Sequence, residues 1–205
     1  MEGGAAEAMT RSHYYTGRRR GPARLVSDTV LGVTLEFYVA PGVFSTEGID
    51  EGTRLLLETA RVPEEGTVLD MGCGYGAIGI ALAKRHPGLR VVMVDVNPLA
   101  VDLARRNARL NQVEDRVEVL HGNLYEPLEG RVFDAILSNP PLAAGMETVL
   151  GIIRGAPGHL APGGTLWLVM RKGAAKALEE MKKLFPEARI ARRKKGYTIL
   201  FARKG

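Results

Sequence analysis

One segment of the chain places acidic and small residues at the spacing of a ligand-binding turn: Asp70-Met71-Gly72-Cys73-Gly74-Tyr75-Gly76-Ala77-Ile78-Gly79. Gly74, Gly76 and Gly79 satisfy G-x-G-x-x-G, and a second acid, Asp95, follows about 20 residues later at the end of the next apolar run, as in dinucleotide-binding proteins. Glycines there let the backbone pass close beneath a ligand, and a carboxylate at the Asp95 position can accept from both hydroxyls of a ribose. A third segment, Ser138-Asn139-Pro140-Pro141, ends another apolar run. Its two prolines stiffen the turn and remove two backbone donors. The carbonyls of Asn139 and Pro140 and the Asn139 amide oxygen are then expected to face a cleft as acceptors. Acceptors converging on an NH2 group would hold that nitrogen and aim its lone pair.

Asp70 separates two classes of ligand. A diphosphate seated at the turn would lie beside this carboxylate and be repelled in a partly desolvated cleft. S-adenosylmethionine has no phosphate there. It carries an α-ammonium and a sulfonium, so the same carboxylate attracts it, directly or through water. Asn123, after His121-Gly122 at the end of a third apolar run, has a side-chain amide suited to an adenine edge. Methyl transfer from a sulfonium to a held nitrogen is an in-line displacement. Alignment supplies much of its rate, without a nucleophilic side chain, and the sequence offers no evident general base.

The elements that must carry these residues alternate. Strand-like runs at 67–71, LRVVMVD, RVEVLHG and FDAILSN are separated by helical stretches at Ala77–Arg85 and after Asn97-Pro98, a cap followed by proline in the first turn. A helix near 146–155 is expected to end at Pro157, followed by a Pro162-Gly163-Gly164 turn, the strand TLWLVM and a helix carrying Ala174, Ala177, Leu178 and Met181. Strands alternating with helices imply an α/β fold, a doubly wound and mostly parallel sheet covered on both faces. The last two strands, near 187–192 and 197–202, have no helix between them and must form an antiparallel hairpin turning at Lys195-Gly196. Residues 24–39 read as two strands around Leu31-Gly32, and Asp50 as the cap of a helix reaching about Arg61. The expected organisation is a disordered 1–12, an N-terminal β extension over 13–49 and a single catalytic domain over 50–205.

Composition narrows the function further. The 205 residues are 45% hydrophobic and 25% charged, an ordinary globular balance, with a net charge of +5 that favours a polyanionic partner. The single cysteine, Cys73, excludes an intrachain disulfide and a cysteine metal cluster, and the four histidines are scattered, so no metal is expected. No membrane-length apolar run and no signal-peptide pattern is present, from which a cytoplasmic location is expected. HYYTGRRR at 13–20 and Arg192-Arg193-Lys194-Lys195 at the hairpin turn suit a phosphate backbone, or else are solvated charge runs.

Residues 67–141 resemble the core of class I S-adenosylmethionine-dependent methyltransferases. Asp70, Gly72, Gly74 and Gly76 resemble that family's D-x-G-x-G-x-G cofactor loop and Asp95 its ribose acid; Val96 and Leu124 take the positions that flank the adenine. Asn139-Pro140-Pro141 resembles the (N/D)-P-P-(Y/F/W) motif of amino-directed methyltransferases, with Leu142 in place of the aromatic. The resemblance therefore leaves the stacking ring to be found elsewhere: Tyr38, Phe44 or Tyr125. Across 13–205 the chain is similar to the RsmC-like family of small-subunit ribosomal RNA guanine-N2 methyltransferases, in its short single-domain archaeal form. His13-Tyr14-Tyr15, Gly42-Val43-Phe44-Ser45, Asp50-x-Gly52-Thr53 and Lys195-Gly196-Tyr197 carry that similarity. It implies an RNA partner, Asn139, Pro140 and Pro141 as catalytic residues, and a Gly42–Thr53 segment folded over the cofactor with Phe44 as a contact. The alternatives are a protein glutamine or small-molecule N-methyltransferase on the same core, a noncatalytic RNA-binding module, and an NAD-dependent oxidoreductase.

Overall fold

The structure, a computed structural model, describes residues 21–43, 45 and 47–205. The expectations for 1–12, for the 13–20 cluster and for Phe44 lie outside the described residues. Nine strands and five helices follow in chain order: β1 Arg24–Val30, β2 Val33–Val39, α1 Glu51–Thr59, β3 Glu65–Met71, α2 Ala77–Arg85, β4 Gly88–Asp95, α3 Pro98–Leu110, β5 Val117–His121, β6 Phe133–Ser138, α4 Gly145–His159, β7 Leu160–Met170, α5 Ala174–Leu184, β8 Glu187–Lys194 and β9 Tyr197–Arg203.

Seven strands form one sheet in the order β5-β4-β3-β6-β7-β9-β8. β5 to β7 run parallel, and β9 enters antiparallel between β7 and β8. The chain therefore winds outward from β3 through β4 to β5, then returns to build β6 and β7 on the other side. This reversal opens a crevice at the carboxyl ends of β3 and β6, where neighbouring connections leave in opposite directions. One apolar cluster joins α1, α2 and α3 to one face of the sheet, and a second joins α4 and α5 to the other. Central strands buried on both faces explain the near-continuous apolar runs: Val91, Val92, Met93 and Val94 are all buried.

β1 and β2 form a separate antiparallel hairpin, turning on Leu31 and Gly32, both at positive φ (53° and 75°), the geometry of a two-residue hairpin turn. Leu35, Phe37 and Val39 alternate inward. Two asparagines four residues apart, Asn107 on α3 and Asn111 at its C-cap, dock the edge of β2. Asn107 accepts from Tyr38 N–H (2.7 Å) and donates to Tyr38 C=O (3.0 Å); Asn111 does the same with Glu36 (3.1 and 2.7 Å). The two amides replace the missing neighbouring strand, satisfying backbone groups that burial would otherwise leave unpaired.

Three boundaries differ from the sequence expectation. α1 stops at Thr59, short of Arg61, because Ala60 turns extended. α4 runs from Gly145 to His159 and continues through Pro157. The proline forfeits one backbone bond in the last turn, but Val149, Ile152, Ile153 and Ala156 are buried along the same face, and that packing carries the helix past it. β7 begins at Leu160, and Pro162-Gly163-Gly164 forms an irregularity within it: Phe133 pairs with Leu160 but Ala135 already with Thr165. Gly163 N–H donates to Lys204 C=O (3.0 Å) and Lys204 N–H to Gly164 C=O (2.9 Å), so the end of the chain satisfies the bulged backbone.

Candidate active site

A cleft of about 230 Å³ lies over the carboxyl ends of β3, β4 and β6. Its floor is the glycine turn. After Met71 the chain crosses onto β4: Gly72 and Cys73 N–H both donate to Val94 C=O (2.8 and 3.0 Å), and Gly74 N–H donates to Asp95 Oδ2 (2.8 Å). Gly72, Gly74 and Gly76 all take positive φ (72°, 57° and 101°), so side chains at these positions would strain the turn. Gly72 and Gly74 line the cleft; Gly76 instead starts α2, where a Cβ would meet Ile80 Cδ1 at 2.7 Å. Gly79 serves packing: a Cβ would come within 2.7 Å of Met93 Cγ, so glycine lets α2 lie flat on β4.

The two acids play different parts. Asp95 faces the cleft and organises its rim, accepting from Gly74 N–H with one oxygen and from Asn97 N–H with the other (2.8 Å each). Burial raises its pKa, and these backbone donors oppose the rise. Asp70 is fully buried beneath the turn and is not part of the cleft lining. Its Oδ2 accepts from Gly79 N–H (2.9 Å), while its Oδ1 is buried with no donor among the described residues. Burial pushes its pKa up to about 7, the Gly79 bond opposes this, and the charge of Asp95 adds to it.

Val96 and Leu124 both line the cleft; Val96, at 47% exposed, is one of the few large apolar side chains open to water. Asn123 lines it as well and is tied only loosely, at 3.5 Å, to Glu126.

β6 delivers Asn139, Pro140 and Pro141, and all three line the cleft. Ser138 Oγ donates to Met71 C=O (2.7 Å), which clamps the tips of β6 and β3 together. Pro141 C=O accepts from Ala144 N–H (2.9 Å) in the short turn into α4, leaving the Asn139 and Pro140 carbonyls as the turn's remaining acceptors. The Asn139 amide nitrogen donates to Thr53 Oγ1 (2.8 Å) and lies 3.3 and 3.4 Å from the two carboxylate oxygens of Asp50. Its Oδ1 has no donor among the described residues.

The sequence showed Asp50 only as a helix cap and, by resemblance, Asp50 and Thr53 as part of a segment over the cleft; their contact with Asn139 has no local signal. The same segment is held down by Tyr75, whose hydroxyl donates to Gly48 C=O (2.8 Å), and by Asn97, whose amide donates to Gly42 C=O (3.1 Å). Of the rings considered for stacking, Tyr38 is covered by the Arg106 guanidinium 4.5 Å from its centroid. Tyr125 stacks on His159 at 4.5 Å and donates to Ile152 C=O (2.8 Å). Neither lines the cleft.

The donor set fits a ligand with a cationic end, a diol and a flat apolar ring. A buried carboxylate with an orphaned oxygen lies under the turn, Asp95 faces the cleft, and Val96 and Leu124 add apolar lining. It does not suit a diphosphate, since the described residues place no cationic side chain in the cleft lining and two carboxylates flank the turn. Among the described residues no group of three or more His, Cys, Asp or Glu could hold a metal ion.

Residues 34–201 match the methyltransferase small domain family. An uncharacterized protein of Bacillus subtilis, YbxB, is 40% identical over 80% of this chain and 83% of its own length. Ribosomal RNA small subunit methyltransferase C of Escherichia coli is 42% identical over 69% of this chain. The match spans only 41% of that relative's length. Among solved structures, the 16S rRNA N2 methyltransferase RsmC of Thermus thermophilus, in complex with AdoMet and guanosine, superposes with a TM-score of 0.81 at 30% identity. It covers 90% of this chain, which corresponds to 51% of that protein.

Proposed function

Because the chain belongs to the methyltransferase small domain family and is an S-adenosylmethionine-dependent methyltransferase, we propose that it methylates the exocyclic N2 amino group of a guanine in small-subunit ribosomal RNA. Residues 50–205 carry the catalytic domain, and the β1–β2 hairpin extends it. The observation that carries the reading is Asn139: its NH2 is engaged by Asp50 and Thr53, and its Oδ1 is the free end of the amide at the cleft.

When bound, S-adenosylmethionine supplies an electrophilic methyl carbon on a sulfonium. Asp70 would set a negative potential toward its cationic amino-acid end, Asp95 would hold its ribose, and Val96, Leu124 and Asn123 would hold its adenine. Asn139 Oδ1 and the Pro140 carbonyl accept from the substrate NH2, so the nitrogen lone pair points away from them. The open mouth lets the released proton leave to water.

RNA as the substrate is supported by the charge on the same edge. β9 pairs Thr198 with Met170 and Tyr197 with Lys194, so the Lys195-Gly196 turn emerges beside the carboxyl end of β7. Lys195 reaches Glu51 (2.9 Å), next to Asp50. Arg193 and Lys194 are exposed, and no acid pairs with them among the described residues. Arg171 sits 5.5 Å from the Tyr197 ring. The hairpin cations sit beside the first turn of α1, next to the cleft residue Asp50, a surface suited to a phosphate backbone.

The test is transfer of labelled methyl groups from the cofactor to ribosomal RNA or small ribosomal subunits, with the product nucleoside identified by mass spectrometry. Asn139→Ala should lower the rate by about 100-fold, since only alignment is lost. Labelling of protein in place of RNA would reject the substrate assignment.

A further inference from the structure

We propose that Asp50 is a positioning residue that sets the polarity of Asn139, and thereby restricts the site to targets that donate a hydrogen bond. This rests on the reading of Asn139 as the group that holds the substrate nitrogen.

A primary amide has two ends of opposite character and similar shape. Rotated by a half turn, Asn139 would present an NH2 to the substrate where it now presents a carbonyl. Such a side chain would repel an amino group and welcome an acceptor. The neighbours decide which way it faces, and they are not equivalent. Thr53 Oγ1, 2.8 Å away, is both donor and acceptor, so it tolerates either orientation. Asp50 is different: a carboxylate only accepts, and both its oxygens lie within 3.4 Å of Asn139 Nδ2. Turning the amide would set carbonyl oxygen against carboxylate in a half-buried site, so only one orientation survives.

Asp50 is itself immobilised. It caps α1, and its Oδ1 accepts from Gly52 N–H (2.9 Å) and Thr53 N–H (3.1 Å). The cap and the amide anchor are one carboxylate. The first turn of α1, held over the cleft by the Gly48–Tyr75 bond, thus reaches 89 residues along the chain to orient the catalytic turn.

Asp50→Asn separates the two duties. Asparagine caps a helix as well as aspartate, so α1 and the melting temperature should be retained. Its amide nitrogen, however, would face Asn139 Nδ2 donor to donor, and the favoured response is for Asn139 to turn. In the labelling assay, kcat should fall roughly 10- to 100-fold. KM for RNA and the cofactor dissociation constant should change by less than about threefold, because the hydrogen bond that is lost joins two protein side chains. Thr53→Val, which loosens the amide without turning it, should cost less. A second readout needs no substrate: in 15N-labelled protein the Asn139 side-chain amide protons, assigned by their loss in Asn139→Ala, should exchange slowly with solvent and lose that protection in Asp50→Asn.

Wild-type kcat in Asp50→Asn overturns the proposal, and leaves the function reading intact if Asn139→Ala still lowers the rate by about 100-fold. So does a cofactor affinity that falls as far as kcat, which would make Asp50 a cofactor ligand. An unprotected Asn139 amide in the wild-type protein overturns it regardless of activity. If the amide is protected through Asp50 but no RNA is labelled, the positioning device stands and the substrate assignment falls.

Discussion

Replacing Asp70 with Asn should flatten the pH dependence of cofactor binding, and the size of the effect follows from the burial of one carboxylate. Asp70 is completely buried, one oxygen has no donor, and its pKa is pushed up to about 7 from 3.8. The folded state therefore holds a proton that the unfolded chain has released. The contribution to stability is fully present below about pH 4 and is lost as pH rises through about 7. That rise corresponds to about 4 kcal/mol against the ionised, ligand-free protein. A cationic ligand reverses the preference, because it favours the carboxylate. If the ionised form binds, Asp70 is about 3% competent at pH 5.5 and about half competent at pH 7, so the apparent Kd should tighten about 15-fold between them. Working at or below pH 7 keeps the ligand's own α-amino group, whose ordinary pKa is about 7.7–8, largely protonated. The assay is titration calorimetry at both pH values in two buffers of different ionisation enthalpy, which also counts protons. About one proton should be released per cofactor bound at pH 5.5. Asp95, whose pKa is also raised, is coupled to Asp70 by charge, so the difference between wild type and variant reports Asp70 together with that coupling. Equal slopes and equal proton release in the two proteins would refute the reasoning.

Three further outcomes follow from the geometry. Gly79→Ala drives a methyl group into Met93 and Val91 and should destabilise the fold by about 1–3 kcal/mol, read by urea unfolding. Asn107→Ala removes the bonds to both backbone groups of Tyr38 and the one to Tyr75 C=O, and should cost about 3 kcal/mol, lowering the denaturant midpoint without changing its slope. Arg193→Glu with Lys194→Glu should weaken RNA binding and shrink the dependence of log K on log salt by about one for each phosphate no longer neutralised, while calorimetry shows unchanged cofactor affinity.

The alternation of strands and helices, the terminal hairpin, the Leu31-Gly32 turn and the caps at Asp50 and Asn97 are all legible in the sequence. Each depends on residues within a few positions of one another, where φ/ψ preference and apolar period decide the outcome. The order of glycines and acids from Asp70 to Asp95 is local in the same sense, because a βαβ unit puts the ends of adjacent parallel strands side by side. What lies beyond that range was decided by tertiary packing. Pro157 reads as a stop, yet burial of its helix against the sheet outweighs one lost bond. Asp70 reads as a cleft acid, yet the close approach of α2 at Gly79 places it under the floor. Tyr38 and Tyr125 read as candidate stacking rings, and partners far along the chain occupy both. Asn139 reads as an acceptor-rich turn, but which end of its amide is free depends on Asp50, 89 residues away. An amide carries both characters within one residue name, so only the folded neighbour can choose between them.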